Sequence, residues 1–192
     1  GKNAIIIRLD HQGLVQNNVV YDTAFRANSG NQIFTRSCYG TVIQFNEGFL
    51  NRARVDRDGS AYDADYYSPH TIWQYNYSHD NAFGLITFCT KPTDNNIIVR
   101  YNISQNDKGR LLNFNYNFSK VLVYNNIFYI PQHLSPVIIY EEYRKGGSNY
   151  ISSQDYEFYN NIIYNLSPTA AYRLNPNLRR PDDKYNGRKT TR

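Results

Sequence analysis

The chain's 192 residues suffice for a single domain with a hydrophobic core, and 41% hydrophobic against 19% charged residues excludes wholesale disorder. No run approaches eighteen apolar residues, and the first residues lack the layout of a signal peptide, so no membrane span is expected. The net charge of +5 resides in the last twenty residues, where seven Lys and Arg meet two Asp; the remaining body is neutral, which argues against a nucleic-acid groove.

In chain order, six segments read as short strands: AIIIRLDH, QIFTRSCYG, GSAYDADYY, GLITFCTKP, RLLNFNYN and PVIIYEEYR. Each is followed by a second segment, in turn LVQNNVVY, TVIQFNEGF, TIWQYNYSH, NIIVRYNIS, KVLVYNNIFY and DYEFYNNIIY. These second segments share an apolar pair, mostly an aromatic step, and then Asn. Taking Asn18, Asn46, Asn76, Asn102, Asn126 and Asn161 as equivalent gives intervals of 28, 30, 26, 24 and 35 residues, the mark of a repeat architecture.

Within each copy β-branched and aromatic residues dominate and no helical stripe runs, so the repeat is built of strands. Leucine-rich repeats need Leu at fixed offsets, and propeller blades need four strands in about forty residues. A coil of three short strands, stacked about 4.8 Å per rung, fits the period instead. At a sharp corner, an inward Asn can then bond the backbone of its own rung and the amide of the next, as side chains do in stacked strands.

On these residues the chain resembles right-handed parallel β-helix proteins of the pectin-lyase-like superfamily, along nearly its whole length. The resemblance implies an all-β, right-handed parallel β-helix of about six rungs over residues 1–172, with 173–192 as a basic connector or terminal segment. The chain begins in a strand without a capping helix and ends without a closing element, so a fragment of a longer helix is expected. The superfamily includes lyases, glycosidases and adhesins, so the fold does not fix the function. It also implies a secreted or cell-surface bacterial protein.

Period-two alternation turns Ile7 and Leu9, Ile86 and Phe88, and Leu112 and Phe114 inward. The exposed column then reads Arg8 and Asp10, Arg36 and Cys38, Asp63 and Asp65, Thr87 and Cys89 with nearby Lys91, Asn113 and Asn115, and Tyr140 and Glu142. That parity conflicts with the ordinary reading of Cys38 and Cys89 as two buried free thiols. Asp63 and Asp65, two apart on one strand, share a face with roughly 6.5 to 7 Å between Cα atoms, a reach that suits the acid and base of an inverting glycosidase. They could equally hold Ca²⁺, or be a solvated strand face paired with Arg8 or Arg36.

Seventeen residues separate Asn46 from Asp63, whereas eleven separate Asn76 from Thr87 and Asn102 from Asn113. The extra chain, EGFLNRARVDRDGS, carries Arg52, Arg54, Asp56, Arg57 and Asp58 and lies beside the aspartates; the stretch from Asn18 to Arg36 is another long one. The polygalacturonase-like glycosidases of the resembled superfamily carry aspartates with a nearby His and an Arg-Lys pair, so His79 joins the set, although the triplets N-T-D, G-H-G and R-I-K are absent. Tyr62, Tyr66, Tyr67, Trp73 and Tyr75 could stack on sugar faces, and Trp73 reads first as core.

The expectation is therefore an extracellular protein that cleaves a polysaccharide, which could be acidic, by glycoside hydrolysis. Asp63, Asp65 and His79 are its catalytic candidates, and Arg8, Arg36, Lys91 and Arg54 its substrate-binding ones. No cofactor is expected for a hydrolase. A Ca²⁺-dependent lyase is the first alternative, with Asp10, Asp63 and Asp65 as metal ligands. A non-catalytic adhesin or stalk, binding a host surface protein or glycan, is the second.

Overall fold

The computed structural model describes residues 3–54, 58–90, 96–142 and 154–175, and among these it is all-β with no helix. Its nineteen strands, numbered in chain order, form three sheets in which every pairing is parallel. The first sheet runs β1 (Ile5–Arg8), β4 (Ile33–Arg36), β7 (Tyr62–Asp65), β10 (Ile86–Cys89), β13 (Arg110–Asn115), β16 (Val137–Glu141) and β19 (Ala171–Arg173). The second runs β2 (Leu14–Gln16), β5 (Val42–Gln44), β8 (Ile72–Gln74), β11 (Ile97–Arg100), β14 (Phe118–Tyr124) and β17 (Gln154–Tyr159). The third runs β3 (Val19–Tyr21), β6 (Glu47–Phe49), β9 (Tyr77–His79), β12 (Ile103–Gln105), β15 (Ile127–Ile130) and β18 (Ile162–Asn165). Each third strand returns to the first sheet, so the chain winds as a parallel β-solenoid.

The strands are short because left-handed backbone interrupts them at the corners. Between the second and third sheets the corner is always two residues, the first of which (Asn17, Phe45, Tyr75, Tyr101, Asn125 or Asn160) has φ between 52° and 59°. The second is the repeating Asn. Asn and Asp tolerate this region, but an aromatic residue there costs about 1–2 kcal/mol. Parallel ring stacking along the corner offsets part of that cost: Phe45 to Tyr75 at 5.2 Å and Tyr75 to Tyr101 at 5.1 Å between centroids.

The asparagine ladder forms as the sequence predicts. Each Nδ2 donates to the Oδ1 of the next rung's Asn at 2.9–3.0 Å, from Asn18 through Asn46, Asn76, Asn102 and Asn126 to Asn161. The same oxygen accepts the preceding Asn's backbone N–H, and Nδ2 also donates to strand carbonyls such as those of Ile43 and Trp73. Asn46, Asn76, Asn102 and Asn126 are buried, yet each amide has its partners.

A second, shorter ladder stands at the corner after the third sheet, where Leu50, Asp80 and Asn106 are left-handed and are followed by Asn51, Asn81 and Asp107. The Asn51 backbone donates to Asn81 Oδ1 at 2.9 Å, and Asn81 donates to Asp107 Oδ1 from both its backbone and its side chain at 3.0 Å. Its signal in the sequence is a constant offset of five residues after Asn46, Asn76 and Asn102.

The core fills the tube with inward residues, including Tyr62, Ala64, Trp73, Ile86, Phe88, Leu112 and Phe114. Phe88 and Phe114 stack at 4.7 Å, and the buried Tyr62 hydroxyl donates to the carbonyls of Asn46 and Tyr77. Trp73 is core, 1% exposed, with its indole N–H donated to Thr71. β19 runs through residue 172, where the sequence reading ends the rungs; residues 176–192 of the basic segment lie outside the described residues.

The first sheet departs from the expected column in its register, and Leu9, expected inward, stands left-handed at the corner after β1 and is 86% exposed. Arg8 pairs with Arg36, and Arg36 stands beside Asp65 rather than Asp63; the partner of Asp63 on β4 is Phe34. The first two rungs are thus shifted by one side-chain pair, which removes Asp10 and Cys38 from the column. Cys38 lies past the left-handed Ser37 at the corner, turned inward and 1% exposed, with its thiol on the carbonyls of Ile7 and Arg36. Cys89 is the outward one, and both thiols are free.

Candidate active site

Alternation on β7 sends Tyr62 and Ala64 into the core and Asp63 and Asp65 to the outer face of the first sheet. An outer face normally leaves carboxylates in water, yet Asp63 is 4% and Asp65 7% exposed. Part of the cover comes from the two long loops that the sequence singles out. Asn31, on the first, accepts the backbone N–H groups of Gly59 and Ser60, on the second, both at 2.9 Å. Its own amide donates to Asp63 Oδ2 at 2.6 Å, so a single side chain ties both loops to the aspartate.

Burial is the main reason that Asp63 holds its proton well above the ordinary carboxylate range, and the negative charges of Asp65 and Asp58 add to it; the Asn31 hydrogen bond works against them. Among the described residues Asp63 Oδ1 is buried with no hydrogen-bond partner. Asp65 has the Arg36 guanidinium 3.9 Å away. Three carboxylates thus act on one another here. The sequence by itself does not point to two of the site residues, Asn31 and, beyond its charge in the insertion, Asp58. Loop conformation brings both to the pair, and strand spacing gives no sign of that.

Cross-rung pairing places Thr87 and then Asn113 beside Asp63, and Cys89 and then Asn115 beside Asp65. Burial, then the charge of Asp63, pushes the Cys89 thiol up, so it stays protonated; Asn115 Nδ2 lies 3.6 Å from its sulfur. Around this row Arg36 sits 5.6 Å from the centre of the Tyr66 ring, Tyr66 lies against Tyr116, and Arg110 packs 3.5 Å over Tyr140. The surface combines buried carboxyl groups, amides, aromatic rings and guanidinium groups. Chemically it can give a proton, stabilise a developing positive charge and hold sugar hydroxyls.

The structure does not bring every predicted residue here. His79 lies on β9 in the third sheet, stacked on Phe49 at 4.7 Å and Tyr77 at 4.5 Å. Its ring nitrogens bond Glu47 at 3.1 Å and Asp80 at 2.7 Å, and none of these partners belongs to the first sheet. Asp10 caps the corner after β1, accepting from the Gly13 backbone and the Thr41 hydroxyl, so it does not join Asp63 and Asp65. No group of three His, Cys, Asp or Glu residues suited to a metal ion occurs among the described residues. Arg8 is exposed next to Arg36, and Arg54 is an exposed loop residue whose backbone bonds Asn28. Lys91 lies outside the described residues.

No family model matches the chain. Over 95 residues, 48% of its length, it is 39% identical to a lacto-N-biosidase of Bifidobacterium longum subsp. longum. Those residues are 6% of that much longer protein. Two crystal structures of a GH136 lacto-N-biosidase from Eubacterium ramulus share the fold over 86% of this chain and 26% of theirs. The native protein superposes with a TM-score of 0.65 at 22% identity, and the selenomethionine derivative with 0.66 at 23%.

Proposed function

We propose that this solenoid carries the catalytic face of a glycoside hydrolase acting on a glycan, with Asp63 as general acid and Asp65 as the partner carboxylate. The observation that carries the reading is the buried, proton-holding Asp63 beside Asp65 on the outer face of the first sheet. A glycosidic oxygen needs a proton as its bond breaks, and a carboxyl kept neutral by burial can supply it near neutral pH. The second carboxylate then serves as base or nucleophile. Arg36, Asn113 and Asn115 line the same face and suit sugar hydroxyls.

The relationship to a lacto-N-biosidase makes a lacto-N-biose-containing oligosaccharide the first substrate of choice, ahead of an acidic polysaccharide. Membership of the pectin-lyase-like superfamily and a secreted or cell-surface bacterial location belong to this proposal, since such glycans lie outside cells. No metal is needed by this route.

The test incubates the gene product with a lacto-N-biose-containing tetrasaccharide and a panel of neutral and uronate-containing glycans, with and without chelator. Released sugar and unsaturated product are measured in parallel. Hydrolysis without unsaturated product is expected. Asp63→Asn and Asp65→Asn should each lower kcat by about 10²–10⁴-fold with an unchanged far-UV circular dichroism spectrum. Unsaturated product that depends on Ca²⁺ would move the reading to a lyase, and binding without turnover to an adhesin.

A further inference from the structure

Away from the aspartates, at the corner between the second and third sheets, the surface opens a groove of about 310 Å³ lined by Asn17, Asn18, Phe45, Glu47, Tyr75 and Tyr77, among others. Its origin lies in the repeat. The left-handed corner position carries Tyr101, Tyr75 and Phe45 on successive rungs, stacked with interplanar angles of 6° and 10°. On the next rung the same position is Asn17, in register through the Asn18–Asn46 bond, and the ring stack stops.

Tyr75, inside the stack, has a ring about 5 Å from each of its faces and is 46% exposed. Phe45 has Tyr75 on one side and the short Asn17 in the next place on the other, and it is 52% exposed. The Phe45 face turned from Tyr75 thus carries no stacked ring, and the groove sets it beside a carboxylate and two amides. Glu47 Oε1 lies 3.1 Å from His79 Nε2, a contact that positions the carboxylate at the groove.

We infer that this groove is a second carbohydrate-binding site, which takes one neutral hexopyranose residue with its apolar face on Phe45 and its hydroxyls toward Glu47, Asn17 and Asn18. Ring C–H groups suit an exposed aromatic face, and hydroxyls suit carboxylate and amide acceptors and donors. The volume matches the lower end of ligand clefts, about 300 Å³, which suits a single sugar ring. The Glu47 charge disfavours a uronate. The site stands apart from the hydrolysis proposal, since its residues lie on the third sheet and on the corner before it, away from the first sheet.

The gene product, labelled at its Phe and Tyr rings for NMR, is titrated with lactose and separately with an acidic disaccharide. Saturable shifts of the Phe45, Tyr75 and Tyr77 rings are expected with lactose, weaker with the acidic sugar, and unchanged in Asp63→Asn. Asn17→Tyr extends the stack into the groove with a residue type that this corner already accepts. It should abolish the shifts in a protein that stays folded and loses only a few degrees in Tm, and Phe45→Leu should weaken binding about five- to tenfold. Absence of shifts at these rings in the wild type would overturn the inference, as would undiminished shifts in a folded Asn17→Tyr protein.

Discussion

Replacing Asn76 by Ala removes the middle of the asparagine ladder and leaves the backbone in place. Four hydrogen bonds go with the side chain: Nδ2 to the Ile43 carbonyl and to Asn102 Oδ1, and the two that Asn46 donates to Asn76 Oδ1 from its backbone and its amide. The site is 2% exposed, so water does not replace them. At about 1 kcal/mol net for each bond, the loss is about 4 kcal/mol, a large part of the roughly 5–15 kcal/mol that holds a typical domain. The control is Gln44→Ala. Its side chain makes two amide bonds along the half-exposed outer face, to Gln16 and from Gln74, and should cost under about 1 kcal/mol. Urea unfolding followed by far-UV circular dichroism compares the two variants with the wild type. If Asn76→Ala costs no more than Gln44→Ala, the ladder does not hold the corners and the reasoning fails.

Asp107 is buried and its carboxyl is pushed up to about 6 by burial, against hydrogen bonds from Ser78, Ser104 and Asn81. Because the folded value lies above the unfolded 3.8, its contribution is fully present below that value and is lost as pH rises through about 6, a change of about 3 kcal/mol. Asp107→Asn should therefore be more stabilising at pH 7 than at pH 4 in paired thermal melts, and a pH-independent difference would contradict this. A side chain at Gly84 would fall on the Leu111 backbone and the Arg110 carbonyl of the next rung, neither of which can move alone. Gly84→Ala should cost about 3 kcal/mol or more in urea unfolding. For catalysis, kcat/KM should fall at alkaline pH through a value above the ordinary carboxylate range, set by Asp63. An alkaline limb unchanged in the residual activity of Asp63→Asn would remove Asp63 from the role of acid.

A solenoid writes its fold into the chain in an unusually direct way. Neighbouring rungs repeat the same environment, so Asn46, Asn76 and Asn102 meet the same needs and recur at the same step. Strand identity, the parallel arrangement, the ladder and the core position of Trp73 all follow from that local repetition. The offset of five that marks Asn51, Asn81 and Asp107 was equally available in the sequence. The register of the first sheet was not, because a corner one pair longer or shorter leaves the alternation unchanged while moving Asp10 and Cys38 off the column.

The sequence by itself determined that Asp63 and Asp65 share one outward face flanked by long loops, since period-two geometry fixes sides within a strand. Tertiary structure alone decided that this outward face is buried, that Asn31 and Asp58 come to it, and that His79 does not. Loops carry no periodicity, and the sheet that a residue occupies depends on how corners turn the chain in space. The proton on Asp63 is likewise a tertiary property, because desolvation and neighbouring charge are set by what the fold lays over a side chain and not by its neighbours in sequence.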